Sequence, residues 1–374
     1  MAGCLEHTFF TLLRSGVWNT SPVLKYTPCK KEWTEIYNIS KEQTVSGIML
    51  DAIAKLPEEQ KPPIELRLQW IALQKNIEKQ NIAMNNVLIE IFEELRKNGI
   101  EPYLLKGQGI AQNYKFPLHR ASGDIDLYFK NERDFENALS FFTRNGCNIE
   151  DDSEDTHAET TYKNIKIELH KKCFAFYTKK IQQKANTILA DVNGENSSVT
   201  IHDMKVRTLP PVANALQLTA HMLKHIILSG IGMRQICDWV LFINKHHNSI
   251  DKGLFLKQLE ELELTGTYKA ITAIATVYLD MPKELVLCEI NDKDVKNAKR
   301  VLNLVMKYGN FGQYGEHAIL TSKLHYIKIY LWKVRNCIRF HSMAKSETWN
   351  YPIWQLHSIK DFLKRKEMTP DQDF

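Results

Sequence analysis

The sequence lacks any Cys-x-x-Cys pair, and its seven cysteines, an odd number, lie scattered from Cys4 to Cys337. A reduced, cytoplasmic compartment is the simplest expectation. Long apolar runs are missing too. The nearest approach, Ala270 to Leu279, is closed by Asp280, well short of the roughly 18 residues that span a bilayer. The first ten residues carry Glu6 and His7 where a signal peptide needs a basic start and an apolar centre. No membrane partner is expected. Neither sign of charge dominates: 49 basic against 44 acidic residues leave +5. That balance permits an anionic partner but does not demand nucleic acid, for which a clustered basic face is the stronger sign. Glycine (16) and proline (12) are modest in number, and no internal repeat occurs. Collagen-like, low-complexity and wholly disordered readings are thereby excluded.

What remains is ordinary globular composition, 44% hydrophobic and 25% charged over 374 residues. A chain of that length buries a substantial core and normally divides into two or three domains. Helical spacing begins with Phe9, Phe10, Leu12 and Leu13 and resumes after a Pro/Lys-rich break at 21–31. From Ile64, apolar residues recur through Leu68, Ile71, Ile77, Ile82, Leu88, Ile91, Phe92 and Leu95, with Asn98-Gly99 as the stop. This predicts one long amphipathic helix. The period then changes. Pro102 to Leu105 and 124–129 read as strands, 134–145 as a helix, and 160–162 with 165–170 as a hairpin turning at Lys163-Asn164. Helical spacing returns at Pro210-Pro211 and persists to about Leu363, before a polar tail expected to fray. The expected division is a helical region over 1–98, an α+β core over 99–205 and a helical domain over 206–374.

Chemistry concentrates in that core. In Gly123-Asp124-Ile125-Asp126-Leu127, strand alternation points both carboxylates to one face while Ile125 and Leu127 pack inward. Two adjacent carboxylates raise each other's pKa unless a cation lies between them. A pair of hard oxygen ligands is also what Mg²⁺ takes from a protein when phosphates supply other positions. A solvated acidic strand end is the competing interpretation. Upstream, Lys106-Gly107-Gln108-Gly109 follows a strand. Its glycines either bring backbone N–H groups to phosphates, with Lys106 as a point charge, or simply form a turn. Arg120 is either a phosphate ligand or the partner of a carboxylate. Downstream, Ile165 to His170 alternates so that Lys166, Glu168 and His170 share one face. A third carboxylate there would complete a two-metal site; the alternative is the wet face of an edge strand.

Together, L-K-G-Q-G, R-x-x-G-D-I-D-L and I-E-L-H resemble the nucleotidyltransferase superfamily, and more narrowly its uncharacterised bacterial nucleotidyltransferase family. The likeness spans roughly residues 9 to 240, including Phe10 to Gly16 and Gly230 to Trp239. It implies an α+β fold with a small mixed sheet flanked by helices, and a nucleoside triphosphate (NTP, such as ATP) bound through Mg²⁺ in a two-metal site. Asp124, Asp126 and Glu168 would then be metal ligands, with His170 beside them as a catalytic residue. Lys106, Gly107, Gln108, Arg120 and Gly123 would bind the nucleotide. Gln108 departs from the superfamily, which usually has Ser or Gly there and a somewhat shorter gap to the acidic pair. The implied activity is transfer of a nucleoside monophosphate to an acceptor that is a small molecule, a protein or RNA. Two alternatives stay open: a catalytically silent nucleotide-binding protein, or a toxin-type enzyme modifying protein or tRNA.

Other polar residues carry weaker signals. His157 precedes the hairpin and could face the site. His221 and His225 are one helical turn apart, but Met222 stands where H-E-x-x-H needs Glu, so packing is favoured over zinc. Arg234 and Asp238 have the spacing of an intrahelical ion pair. Lys171, Lys172, Lys179, Lys180 and Lys184 form a basic run, either a solvated face or a contact for an RNA acceptor.

Overall fold

The structure is a computed structural model that describes residues 3–151, 157–192, 197–314 and 323–364; the polar tail lies outside them. Four helices open the chain: α1 (Gly3–Trp18), α2 (Lys30–Glu42), α3 (Ser46–Ile53) and the 34-residue α4 (Ile64–Lys97). The mixed segment contains β1 (Tyr103–Leu105), the short α5 (Gly107–Ala111), β2 (Ile125–Tyr128), α6 (Glu132–Arg144) and β3 (Ile149–Asp151). It continues through β4 (His157–Tyr162), β5 (Ile165–His170), α7 (Lys179–Asp191), β6 (Ser198–Ile201) and β7 (Met204–Arg207). Seven helices follow: α8 (Pro211–Leu228), α9 (Met233–His246), α10 (Lys252–Glu261), α11 (Thr265–Tyr278), α12 (Asp292–Tyr308), α13 (Lys323–Phe340) and α14 (Lys345–Lys364). The class is α+β with helical flanks, as the sequence pattern implied. Among the described residues no helix is long and apolar enough to cross a membrane.

Five strands form the main sheet in the order β1-β2-β5-β4-β3. The β2–β5 pair alone is parallel; its crossover runs through α6, β3 and β4. Lys163 and Asn164, at φ +49° and +64°, close the β4–β5 hairpin. Two consecutive left-handed residues match the twist of the strands they join. β6 and β7 make a separate two-stranded ribbon, bridged to β1 through Leu104 and Thr208.

The sheet separates two cores. On one face Leu104, Ile125, Leu127, Ile167 and Leu169 pack against Met84, Leu88, Ile91, Phe92 and Leu95 of α4 and Phe135 and Phe142 of α6. On the other, Tyr103, Leu105 and Tyr128 join the large core made by α1–α3 and the helices from α7 onward. α4 serves both, because its first half sends Leu66 and Trp70 into the large core. The Trp70 indole N–H also donates to the Ser46 carbonyl at 2.8 Å. The N-terminal and later helices are further tied by polar contacts. Gln43 donates to the Val305 carbonyl and accepts from the Met233 N–H, both at 2.9 Å, and Arg14 grips Asp280 with two bonds of 2.9 and 3.0 Å. The acidic face of β2 and β5 therefore lies in the seam between sheet and bundle.

Candidate active site

Register builds the site. β2 and β5 run side by side with Asp126 opposite Glu168 and Tyr128 opposite His170. Alternation turns Asp126, Glu168 and His170 away from the α4 core, while Ile125, Leu127, Ile167 and Leu169 turn into it. Asp126 is almost fully buried. His170 Nε2 stands 2.9 Å from Asp126 Oδ1 and 3.4 Å from Glu168 Oε2. Asp126, Glu168 and His170 each offer a ligand atom, and these lie within 4.8 Å of one another. Lys106 Nζ reaches the same Asp126 Oδ1 at 2.8 Å.

Lys106 is placed there by an abrupt turn. β1 ends at Leu105, Lys106 adopts φ +47°, and Gly107 at φ +36° opens α5. A Cβ on Gly107 would meet the Asp124 carbonyl at 3.3 Å, so the glycine lets the turn lie against the acidic strand. The opening N–H groups of α5 have no partner within the helix. Gln108 does not send its side chain toward them. It is buried, and its amide donates to Asn81 Oδ1 on α4 at 3.1 Å. Gly123 is exposed, and a Cβ there would meet nothing within 4 Å.

Electrostatics follow from crowding. Burial, and then the Asp126 and Glu168 charges, lift the Asp124 carboxyl to about 6, against the pull of Lys106 and Arg234. Burial would likewise raise Glu168, but the His170 hydrogen bond and the Lys106, His170 and Lys166 charges outweigh it and hold the carboxyl well below its usual range. Burial opposes the charge on Lys106, yet Asp126, Glu168 and Asp124 keep its pKa raised. The raised Asp124 carboxyl marks where a further cation would relieve crowding among the carboxylates.

The Arg120 guanidinium is taken up by α9. It makes a bidentate pair with Asp238 of α9, Nε and Nη2 each 2.7 Å from a carboxylate oxygen, both side chains nearly solvent-free. Asp238 also accepts from the Tyr114 hydroxyl at 2.7 Å. Arg234 Nη1 donates to the Ala121 carbonyl. From the other side, Asn81 Nδ2 donates to the Arg120 carbonyl at 2.8 Å and Gln80 Nε2 to the Ser122 carbonyl at 3.1 Å. The segment leading into Asp124 is thus held between α4 and α9.

His221 and His225 meet edge to face at 4.3 Å, and His225 Nδ1 lies 2.8 Å from Ser229 Oγ. Burial, and then the Lys106 charge, drives the first well below its usual value and the second to about 3. Both imidazoles are neutral at physiological pH.

Glu159, which no motif marks in the sequence, also borders the site. It pairs with Glu168 across β4–β5, and His157 pairs with His170. The signal existed: a two-residue turn at Lys163-Asn164 fixes every facing pair in the hairpin. Lys166 Nζ bridges Glu159 at 2.8 Å and Glu168 at 3.3 Å. His157 Nε2 lies 3.3 Å from Glu159 Oε1.

A family model described as uncharacterised nucleotidyltransferase matches residues 30–280, well over half of the chain. The protein belongs to this nucleotidyltransferase family. It is accordingly a nucleotidyl-transfer enzyme, a class that acts on nucleoside triphosphates and usually employs a divalent metal. No curated protein and no solved structure matches the chain. The nucleotidyltransferase motifs fall on β1–α5, β2 and β5, inside the matched segment.

Proposed function

We propose that the protein transfers a nucleoside monophosphate from an NTP to an acceptor hydroxyl or phosphate, with a divalent cation such as Mg²⁺ held by Asp124, Asp126 and Glu168. The observation that carries this reading is the parallel β2–β5 register, which brings Asp126 beside Glu168, with Lys106 Nζ 2.8 Å from Asp126. The donor set fits: Asp126 and Glu168 offer hard oxygens within 4.8 Å of one another and of His170, and burial together with the Asp126 and Glu168 charges raises Asp124 beside them to about 6. A bound cation would supply electrostatic stabilisation of the charge that develops on the phosphoryl group.

The protein's own groups provide position. Lys106 meets the triphosphate as a point charge, and the opening N–H groups of α5 face its oxygens. Gly107 permits the backbone to come that close. An acceptor oxygen attacks the α-phosphorus, the bond to the bridging oxygen breaks, and pyrophosphate leaves with that electron pair. A hydroxyl acceptor gives up its proton to solvent. Such a transfer asks little covalent chemistry of the protein, so alignment contributes most.

Incubating the purified protein with each α-labelled nucleotide, Mg²⁺ and cell extract will identify nucleotide and acceptor together by the molecule that becomes labelled. Asp126→Asn keeps shape but removes the charge, and transfer should fall by about a thousandfold or more. Near-normal labelling by that variant would reject the assignment.

A further inference from the structure

We propose that the imidazole of His170 is itself a cation ligand, and that the site consequently takes Mn²⁺ in preference to Mg²⁺. This rests on the nucleotidyltransferase reading and specifies the ion. His170 follows Glu168 by two residues on β5, so both project from the same face. Its Nε2 sits 2.9 Å from Asp126 Oδ1 and 3.4 Å from Glu168 Oε2. In an octahedral ion with bonds of about 2.1 Å, neighbouring ligand atoms stand roughly 3 Å apart. The two measured separations already approximate two such edges. No backbone movement is required to present one nitrogen and two oxygens.

The imidazole is also held in place. The His157 ring, directly across the β4–β5 ladder, stacks on it at 5.3 Å with 24° between the planes. Lys106 Nζ shares Asp126 Oδ1 with His170 and supplies the positive charge there. A divalent ion bound there would take over that charge and leave Nζ free for the triphosphate. His170 would give up its Nε2–H bond to Asp126, the Nε2 proton passing to solvent and the ring keeping one proton on Nδ1, so that the Nε2 lone pair faces the ion.

Ion choice follows from the donor atoms. Carboxylates alone suit Mg²⁺, Ca²⁺ and Mn²⁺, whereas imidazole favours transition ions. Mn²⁺ shares with Mg²⁺ the octahedral, oxygen-rich shell that phosphates complete, and unlike Mg²⁺ it also accepts imidazole. Mg²⁺ binds imidazole poorly and gains only the carboxylates.

The test uses the full-length protein and Mn²⁺ alone. Titration followed by the loss of the free-ion electron paramagnetic resonance signal gives affinity, and competition with Mg²⁺ gives preference. Pulsed measurements on bound Mn²⁺ report nitrogen coupling directly. We expect one coordinated nitrogen and a Mn²⁺ preference on the order of tenfold or more. Both should be lost in His170→Ala and in the polar His170→Gln, with Mg²⁺ affinity little changed. Bound Mn²⁺ without nitrogen coupling, or coupling that survives both substitutions, overturns the inference and leaves the nucleotidyltransferase reading standing. Mn²⁺ binding that is indifferent to Asp126→Asn, or no divalent binding at all, overturns the inference and the carboxylate site beneath it.

Discussion

Single residues show where sequence patterns lose their reach. Asp124, Asp126, Glu168 and His170 could be placed on shared faces because alternation in a strand is a local rule. Arg120 could not be resolved locally. Its carboxylate partner lies 118 positions later, and nothing near Arg120 distinguishes a phosphate ligand from half of a buried ion pair. The same pairing takes Asp238 into a bidentate contact that its i, i+4 spacing from Arg234 did not suggest. Charge burial makes the consequence measurable. Removing one partner leaves an uncompensated buried charge, a loss of about 3–5 kcal/mol, whereas replacing both by apolar groups is often neutral. Asp238→Asn should therefore lower the denaturant midpoint sharply, and Arg120→Met combined with Asp238→Leu should recover much of it. Equal stability of Asp238→Asn and the parent protein would show that the pair carries no such energy. Gln108 teaches a similar lesson: its place in a phosphate-turn motif was legible, but its side-chain bond to Asn81 across to α4 was not.

Elements were legible in proportion to their length and regularity. α4 declares itself through about nine turns of apolar spacing, and the β4–β5 hairpin through alternation around a turn that tolerates left-handed residues. β3, β6 and β7 have only three or four residues each, and unlike the equally short β1 and β2 they have no glycine turn or acidic pair beside them to mark a strand. Contacts between elements were invisible for another reason: they join distant positions. Glu347, at the start of α14, accepts the N–H groups of Tyr177 and Thr178 at 2.9 Å each, so a carboxylate about 170 residues away fixes the chain that enters α7. His119 is the clearest case with a pH signature. Its Nδ1 lies 2.8 Å from Asp51 on α3 and its Nε2 3.2 Å from Glu78 on α4. Burial disfavours its charge, but the two carboxylates outweigh that and raise its pKa. A raised folded-state value means this group stabilises fully below its unfolded value of about 6.5, and the contribution disappears as pH rises through the folded value. The His119 contribution to stability should thus fall on moving from pH 6 to pH 9, so the change in melting temperature over that range should be more positive in His119→Asn than in the parent protein. An unchanged slope in the variant would exclude the clamp as its source.

At the scale of the whole molecule, the motifs cluster within 106–170, yet the surfaces that support them extend over almost the entire chain. One face of the sheet is covered by Met84 to Leu95 of α4, and the other carries Tyr103, Leu105 and Tyr128 into a core shared with α1–α3 and α8–α12. A region drawn around the motifs, residues 99–205, therefore includes the carboxylates, α6 and α7, but not α4 or the bundle helices that complete the two covering layers. Removing α4 from the apolar face, and the bundle from Tyr103, Leu105 and Tyr128, forfeits burial that contributes about 25 cal/mol for each Å² and that offsets the ordering entropy of the strands. The isolated 99–205 fragment should bind hydrophobic dye, lack a cooperative melt and fail to retain Mn²⁺. A longer fragment ending near Glu261, which restores α4, α8 and α9, should recover more of the fold than adding either flank alone. A cooperative transition in the 99–205 fragment would mean that the sheet is autonomous and that the bundle only shapes access to the carboxylates.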